Sequence, residues 1–228
     1  MERCGVASCV MFIVVLVFAA VDWLAVARER RNLEFVFKPA TLIALLFGAW
    51  LLTRAPHDPW QARFLLPGLG FSLAGDIFLM LRGRRFFAVG LVAFLLAHVS
   101  YTIGFNPTVP PWPSLLILIP VVGIGAFLFR ELARGLRERG EDTMLRPVAI
   151  YSVVLSAMLL SAWATLFRPE WTGFRRGLAL GGASLFFVSD AMLAWDRFVA
   201  PFPLARLWIH VTYHLGQMAL AASIAQTW

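Results

Sequence analysis

The stretch FSLAGDIFLML, residues 71–81, reads as the middle of an apolar helix, yet it contains the carboxyl group of Asp76. A second stretch, FFVSDAMLAW at residues 186–195, places Asp190 in the same kind of setting. A charged side chain at bilayer depth is costly and almost always faces the interior of a helix bundle, where it forms a pair or takes part in chemistry. These two stretches therefore predict a membrane protein with functional carboxyl groups inside it.

The composition of the whole chain supports this class. Of 228 residues, 60% are hydrophobic and only 14% are charged, which is too apolar for a soluble domain of this length. Long apolar runs separate short clusters of charge, and about 20 apolar residues are what a helix needs to cross a bilayer. We predict an all-α, polytopic transmembrane bundle forming one integral-membrane domain over residues 1–228. Its eight helices are expected at 5–27, 36–53, 63–82, 86–105, 113–133, 146–167, 175–195 and 204–226.

The basic residues predict the orientation of the chain. The net charge is +7, which in a soluble protein would raise the question of a nucleic-acid partner. Here the basic residues lie in short loops, so no nucleic-acid partner is expected. Fourteen of the Lys and Arg residues lie on the side of the loops that follow helices 1, 3, 5 and 7, against six on the other side. By the positive-inside rule the richer side is cytoplasmic, and both termini face outward.

Three carboxyl groups are expected at the same depth. Asp22, Asp76 and Asp190 each precede a charged residue at the cytoplasmic end of their helix by six positions. At 1.5 Å per residue, they lie roughly 9 Å inside the cytoplasmic boundary. Asp76 and Asp190 can meet if helices 3 and 7 are neighbours.

Further polar residues occupy single helix faces. Helix 8 presents four of them at positions i, i+3, i+4 and i+7, which share one face, and helix 4 presents two at i and i+3; helix 2 begins near a lysine. These candidate substrate-binding residues are His210, Tyr213, His214, Gln217, His98, Tyr101 and Lys38. Structural roles compete with this interpretation, since such groups also bond across helices and a boundary lysine also anchors a helix. Gly173, Gly177 and Gly181, at a spacing of four, predict a close helix contact.

The residues alone leave three functions open. An intramembrane aspartate pair with His and Tyr suits a hydrolytic site, a proton relay in a small-molecule transporter, or a metal-dependent lipid hydrolase. His210 and His214 have the i, i+4 spacing of helical metal ligands, but the sequence has no H-E-x-x-H motif. A transporter would more often show inverted repeats and broken helices, and neither is evident in the sequence.

An ordered set of motifs resembles a known family. VFKPATL, LAGDIFLML, AHVSYTIGF, FFVSDAML and TYHLGQ, in this order on eight helices, are similar to the YhhN family of membrane proteins, whose animal members are lysoplasmalogenases. The resemblance runs from about Asp22 to the C-terminus. The family pattern falls on Lys38, Gly75 and Asp76, His98 and Tyr101, Ser189 and Asp190, and Tyr213 with Gln217.

The resemblance implies an ether hydrolase that acts in lipid metabolism. It would cleave the vinyl ether of a lysoplasmalogen into a fatty aldehyde and a glycerophospho-base, with Asp76 and Asp190 as general acid and base, and with no metal and no cofactor. A carboxyl group that is buried beside another one keeps its proton to higher pH, so such a pair can divide into acid and base. The expected partner is a lysophospholipid that enters from the inner leaflet and meets Lys38 or loop arginines through its phosphate. The expected location is the bacterial inner membrane.

Overall fold

The computed structural model describes residues 2–54, 58–171 and 173–225, with side chains described from residue 10 onward. These residues form eight α-helices and, within the same ranges, no strand. The helices are α1 Glu2–Ala27, α2 Arg31–Leu52, α3 Pro59–Met80, α4 Arg84–Phe105, α5 Leu115–Glu138, α6 Leu145–Ala164, α7 Gly173–Phe198 and α8 Ala205–Ala222. The predicted all-α class and the number of helices are therefore confirmed. The predicted end of the last helix, residue 226, lies outside the described residues.

Seven of these helices, α1 to α7, are long and apolar enough to cross a membrane. Helix α8 has 18 residues and spans about 27 Å at 1.5 Å per residue, close to the ~30 Å of the hydrocarbon core. Its apolar content is lowered by the polar face that includes His210, His214 and Gln217, all of which are buried. The chain is an integral, multi-pass membrane protein.

The start of α2 differs from the sequence prediction in a way that matters for the site. The helix begins at Arg31 rather than at residue 36, so Pro39 lies inside it instead of in its first turn. The sequence prediction had placed this added segment in the loop after the first helix. In the structure Arg31 and Glu34 border a cavity, so their polar groups remain accessible while the backbone is helical. Lys38 consequently lies about two turns inside the helix and not at its boundary.

The helices form a ring with one helix outside it. Each odd-numbered helix packs against the next helix in the chain as a hairpin, and further contacts join α2 to α3, α4 to α6, α6 to α7 and α1 to α8. The ring order is therefore α1, α2, α3, α4, α6, α7 and α8, with α8 also reaching α2 and α3. Helix α5 lies outside this ring, against α6 and α7.

The closest approach of α7 and α8 occurs at glycines other than the predicted ones. A Cβ placed on Gly173, Gly177 or Gly181 would meet no atom within 4 Å, so the predicted contact at these three positions is wrong. A Cβ on Gly216 of α8 would instead lie 3.0 Å from the carbonyl oxygen of Gly182 on α7. The stripe that ends at Gly181 is thus one position away from the face that packs on α8, and Gly182 is the residue that allows the backbones to approach.

Candidate active site

A polar cavity of about 240 Å³ opens among α2, α3, α7 and α8. It lies in the half of the bundle next to the loops richest in arginine, where α2 and α8 begin and α3 and α7 end. Its lining includes both predicted aspartates, together with four further charged residues and two other polar side chains from the predicted set. These lining residues are Asp76, Asp190, Arg31, Glu34, Lys38, Arg206, His210 and Tyr213.

Asp76 forms a buried ion pair across two helices. The ammonium nitrogen of Lys38, the chain's single lysine, lies 2.9 Å from Asp76 Oδ1, and their side chains are only 10% and 1% exposed. The Tyr213 ring lies under Lys38, with 5.7 Å between Nζ and the ring centroid. Lys38 is therefore an internal partner of the carboxylate and not a surface anchor.

Asp190 has a different set of neighbours. The hydroxyl group of Tyr151, on α6, donates a hydrogen bond to Asp190 Oδ2, and His98 Nε2, on α4, lies 3.3 Å from the same oxygen. Sequence reasoning missed Tyr151. A signal was available, because the chain has only three tyrosines and the other two, Tyr101 and Tyr213, had both been assigned to the site.

The hydrogen bond between the His98 ring and the backbone indicates which ring nitrogen carries a proton. Its Nδ1 is 2.5 Å from the carbonyl oxygen of Phe94, so this nitrogen carries the hydrogen, because a carbonyl can only accept. In the neutral imidazole, Nε2 then presents a lone pair to Asp190 Oδ2. Nε2 and Asp190 Oδ2 lie 3.3 Å apart without the geometry of a hydrogen bond. A protonated Asp190 is the form in which this contact can become a hydrogen bond, because this nitrogen can then only accept.

The histidines on the polar face of α8 contact different partners. His210 Nδ1 lies 2.7 Å from Asp22 Oδ2 on α1, and its Nε2 lies 3.8 Å from Glu34 Oε1. His214 accepts a hydrogen bond of 3.1 Å from the Trp23 indole N–H. Asp22, predicted at the same depth as the two other aspartates, is thus engaged by the histidines.

One turn deeper, a buried hydrogen-bond chain joins three helices. The Tyr101 hydroxyl donates to Gln217 Oε1 at 2.8 Å, and Gln217 Nε2 donates to Ser72 Oγ at 2.9 Å. All three side chains are at most 2% exposed. This chain fixes α4, α8 and α3 relative to one another, one turn away from Asp76.

The structure therefore separates the predicted site residues into two layers. Asp76, Asp190, Lys38, His210 and Tyr213 line the cavity. His98, Tyr101, His214 and Gln217 are buried behind it.

Helices 3 and 7 do not pack on each other as neighbours. Helix α3 packs on α4, α2 and α8, whereas α7 packs on α8, α6 and α5. Asp76 and Asp190 consequently line one cavity from two helices that are not neighbours.

The spacing of His210 and His214 does not bring both imidazoles to the cavity of the aspartate pair, because only His210 lines it. Both imidazoles turn towards Asp22 and α1. Throughout the ranges that the structure describes, no group of three or more His, Cys, Asp and Glu side chains is placed as metal ligands would be.

Fold and site together define a polytopic helical membrane protein whose cavity is lined by a pair of aspartates. The model of the YhhN family matches residues 33–224. The chain belongs to the YhhN family.

Curated relatives include proteins with an assigned activity. "Lysoplasmalogenase TMEM86B" of Homo sapiens is 37% identical over 185 residues, which cover 80% of this chain and 72% of the human protein. "Lysoplasmalogenase TMEM86A" of Bos taurus is 28% identical over 226 residues, covering 97% of this chain and 86% of that protein. The "Uncharacterized membrane protein YhhN" of Escherichia coli O6:H1 (strain CFT073) is 33% identical over 176 residues, covering 74% and 77%. No solved structure matches this chain.

Proposed function

We propose that this protein is a membrane-embedded hydrolase that cleaves the vinyl ether of lysoplasmalogen-type lysophospholipids. The observation that carries the proposal is the presence of two buried aspartates, Asp76 and Asp190, facing one cavity with different partners. The names of the human and bovine relatives as lysoplasmalogenases support the same reaction. The proposed location is the bacterial inner membrane.

The reaction needs a proton donor that can reach carbon. Protonation of the β-carbon of the vinyl ether produces an oxocarbenium ion, and water then adds to the carbon attached to oxygen. The hemiacetal so formed passes its hydroxyl proton to the ether oxygen as the carbon–oxygen bond breaks, releasing a fatty aldehyde and the glycerol hydroxyl. One water is consumed for each bond cleaved, with no net uptake of protons.

Asp190 is the acid in this proposal. It has no lysine or arginine at contact distance among the described ion pairs, and a protonated carboxyl group is the form that suits the lone pair of His98 Nε2. Tyr151 holds the carboxyl group from the side of α6. After donating to carbon, Asp190 recovers its proton from Asp76, which has taken one from the attacking water; the transfer runs through water in the cavity that both side chains line.

Asp76 is the base. The Lys38 ammonium, 2.9 Å away, favours the carboxylate form of Asp76. As a carboxylate, Asp76 can accept the proton of the attacking water and stabilise the positive charge of the oxocarbenium ion through space. A positioned general acid or base typically accelerates a reaction by about 10² to 10⁴-fold. Removal of either carboxyl group should therefore lower turnover by a measurable factor.

The mouth of the cavity suits a phospholipid headgroup. Arg31 and Arg206 border it together with Glu34, and Arg206 lies 2.5 Å from a Glu34 oxygen. Guanidinium groups match the geometry of a phosphate. A single-chain lipid would place its phosphate at these arginines and its vinyl ether at the aspartates.

The proposal is tested with purified protein offered lyso-alkenyl, lyso-acyl and lyso-alkyl phospholipids of equal chain length. We expect aldehyde from the alkenyl lipid alone, because the other two offer no carbon to protonate, and slower turnover in D₂O, because proton transfer to carbon limits the rate. Asp76→Asn and Asp190→Asn should each lower turnover about 10²-fold or more.

The matched control is Asp196→Asn, which makes the same change at the end of α7, where the carboxylate lies near the backbone N–H of Phe202. It should keep wild-type turnover. Near-wild-type turnover of both site variants would show that the carboxyl groups are structural.

A further inference from the structure

A second, apolar opening lies on the other side of Asp190. This crevice is bounded by α4, α5, α6 and α7, and its walls are Phe87, Leu91, Leu128, Leu132, Val148 and Leu155. Its free volume is about 40 Å³, far smaller than the 240 Å³ of the polar cavity. The crevice is therefore a narrow slot between helices and not a chamber.

The slot and the polar cavity share a wall. Leu79, Phe94, Asp190 and Leu193 line both spaces. The acid of the proposed mechanism thus stands at the junction between a polar compartment with five other charged residues and a compartment enclosed mainly by aliphatic and aromatic side chains.

This order of compartments matches the order of groups in a single-chain alkenyl lipid. The vinyl ether of such a lipid lies between a polar glycerophospho-base and a hydrocarbon chain. With the headgroup at the arginines and the reacting bond at Asp190, the chain has to continue past Phe94 and Leu193. Because Phe94 and Leu193 line the slot as well as the cavity, the hydrocarbon chain then enters the slot.

The slot gives a structural role to α5. Helix α5 is the one described helix outside the ring, and Leu128 and Leu132 on it form the outer wall of the slot. Without α5 the slot would be open to the bilayer along its length.

We propose that the slot between α4, α5, α6 and α7 binds the hydrocarbon chain of the lipid substrate and limits the chain length that is accepted. The proposal rests on the proposed function for the placement of the vinyl ether. The chain enters as the leucine side chains of the wall rotate and the slot widens. Moving a hydrocarbon chain from lipid into this slot gains little hydrophobic free energy, because both surroundings are apolar. Selection of chain length must therefore come from steric fit.

The first experiment narrows the slot. Ala194, on α7 one turn after Asp190, lines it, and Ala194→Phe should lower the ratio of kcat/KM for long over short alkenyl chains by about tenfold or more, the usual scale for forcing bulk into a packed space. Leu128→Ala widens the slot and should raise the same ratio.

The matched control is Ala126→Phe. Ala126 lies on the same helix as Leu128 but in another groove, between α5 and α6 and exposed to lipid, whose lining shares only Ser152 with the slot. This variant should keep the wild-type dependence on chain length. An unchanged ratio in both slot variants, or an equal change in the control, would overturn the proposal.

The second experiment does not depend on turnover. A lyso-alkyl phospholipid, whose ether is not cleaved by this mechanism, carries a photoreactive diazirine at the end of its chain and is crosslinked to the purified wild-type protein. Labels on the slot residues of α4 to α7, displaced by excess unlabelled lyso-alkyl lipid, support the proposal. Labels confined to the lipid-exposed groove of α5 and α6 overturn it. Failure of the wild type to produce aldehyde from any alkenyl lipid would refute the proposed function, whereas the position of the crosslink would still decide the role of the slot.

Discussion

Removal of the Lys38 side chain tests how strongly the buried ion pair holds the structure. At 2.9 Å between Lys38 Nζ and Asp76 Oδ1, two unit charges attract by about 6 kcal/mol at an effective dielectric constant of ~20. Much of this attraction offsets the cost of taking both charges out of water. Breaking a buried pair by removing one partner nevertheless costs about 3–5 kcal/mol, since the other charge is left uncompensated.

We expect Lys38→Met to lower the free energy of unfolding by about 3 kcal/mol, the lower end of that range, because Asp76 can relieve part of the cost by taking up a proton. In a chain of this size each kcal/mol shifts Tm by about 2–4 °C, so the expected loss is about 6–12 °C. The double variant Lys38→Met, Asp76→Asn leaves neither charge unpaired. It should recover at least about 2 kcal/mol relative to the sum of the single losses, the range of coupling found for residues in contact.

The wild type, Lys38→Met, Asp76→Asn and the double variant are heated in one detergent. Size-exclusion chromatography of the heated samples gives the fraction of folded protein at each temperature, and thus the differences in Tm. Arg206→Met is the control, because this arginine also pairs with a carboxylate, Glu34, but is 42% exposed; exposed pairs contribute only about 0–1 kcal/mol. Losses for Lys38→Met and Asp76→Asn that add within about 0.5 kcal/mol would refute the argument that the two charges depend on each other.

Three further predictions concern packing, orientation and chemistry. Gly75→Ala would place a Cβ 2.6 Å from the Phe94 ring, so it should destabilise the protein by about 1–3 kcal/mol and raise KM as Phe94 is displaced. The same change at Gly70, where a Cβ meets no atom within 4 Å, should leave thermal stability and KM unchanged. Reporter fusions within residues 139–144 should be cytoplasmic and those after Trp228 external, since basic residues favour the inside; the reverse pattern would move the cavity to the outer leaflet. Aldehyde production should persist after exhaustive chelation, because the proposed acid and base are side chains; loss that one added metal restores would contradict the carboxylate mechanism.

The sequence alone determined the class and the helices, and it predicted a common depth for the carboxyl groups. Hydropathy and loop chemistry are local properties, so runs of apolar residues between charged clusters located all eight helices, with ends that differ by up to about five residues. The regular rise of a helix placed Asp76 and Asp190 at one depth, and both line one cavity in the structure. The polar face of α8 was also predictable, because positions i, i+3, i+4 and i+7 share a face in any helix.

Only the tertiary structure decided which groups meet. The pairing of Lys38 with Asp76, of Tyr151 with Asp190 and of His210 with Asp22 depends on the order of helices in the ring, as does the position of α5 outside it. In a soluble protein the apolar face of a helix marks the side that packs inward. In a bilayer, lipid is as apolar as the protein interior, so the face towards lipid and the face towards a neighbouring helix have the same residue types. The sequence therefore predicts the few polar positions that must face the interior of the bundle. The packing of the helices determines which of these polar residues contact one another.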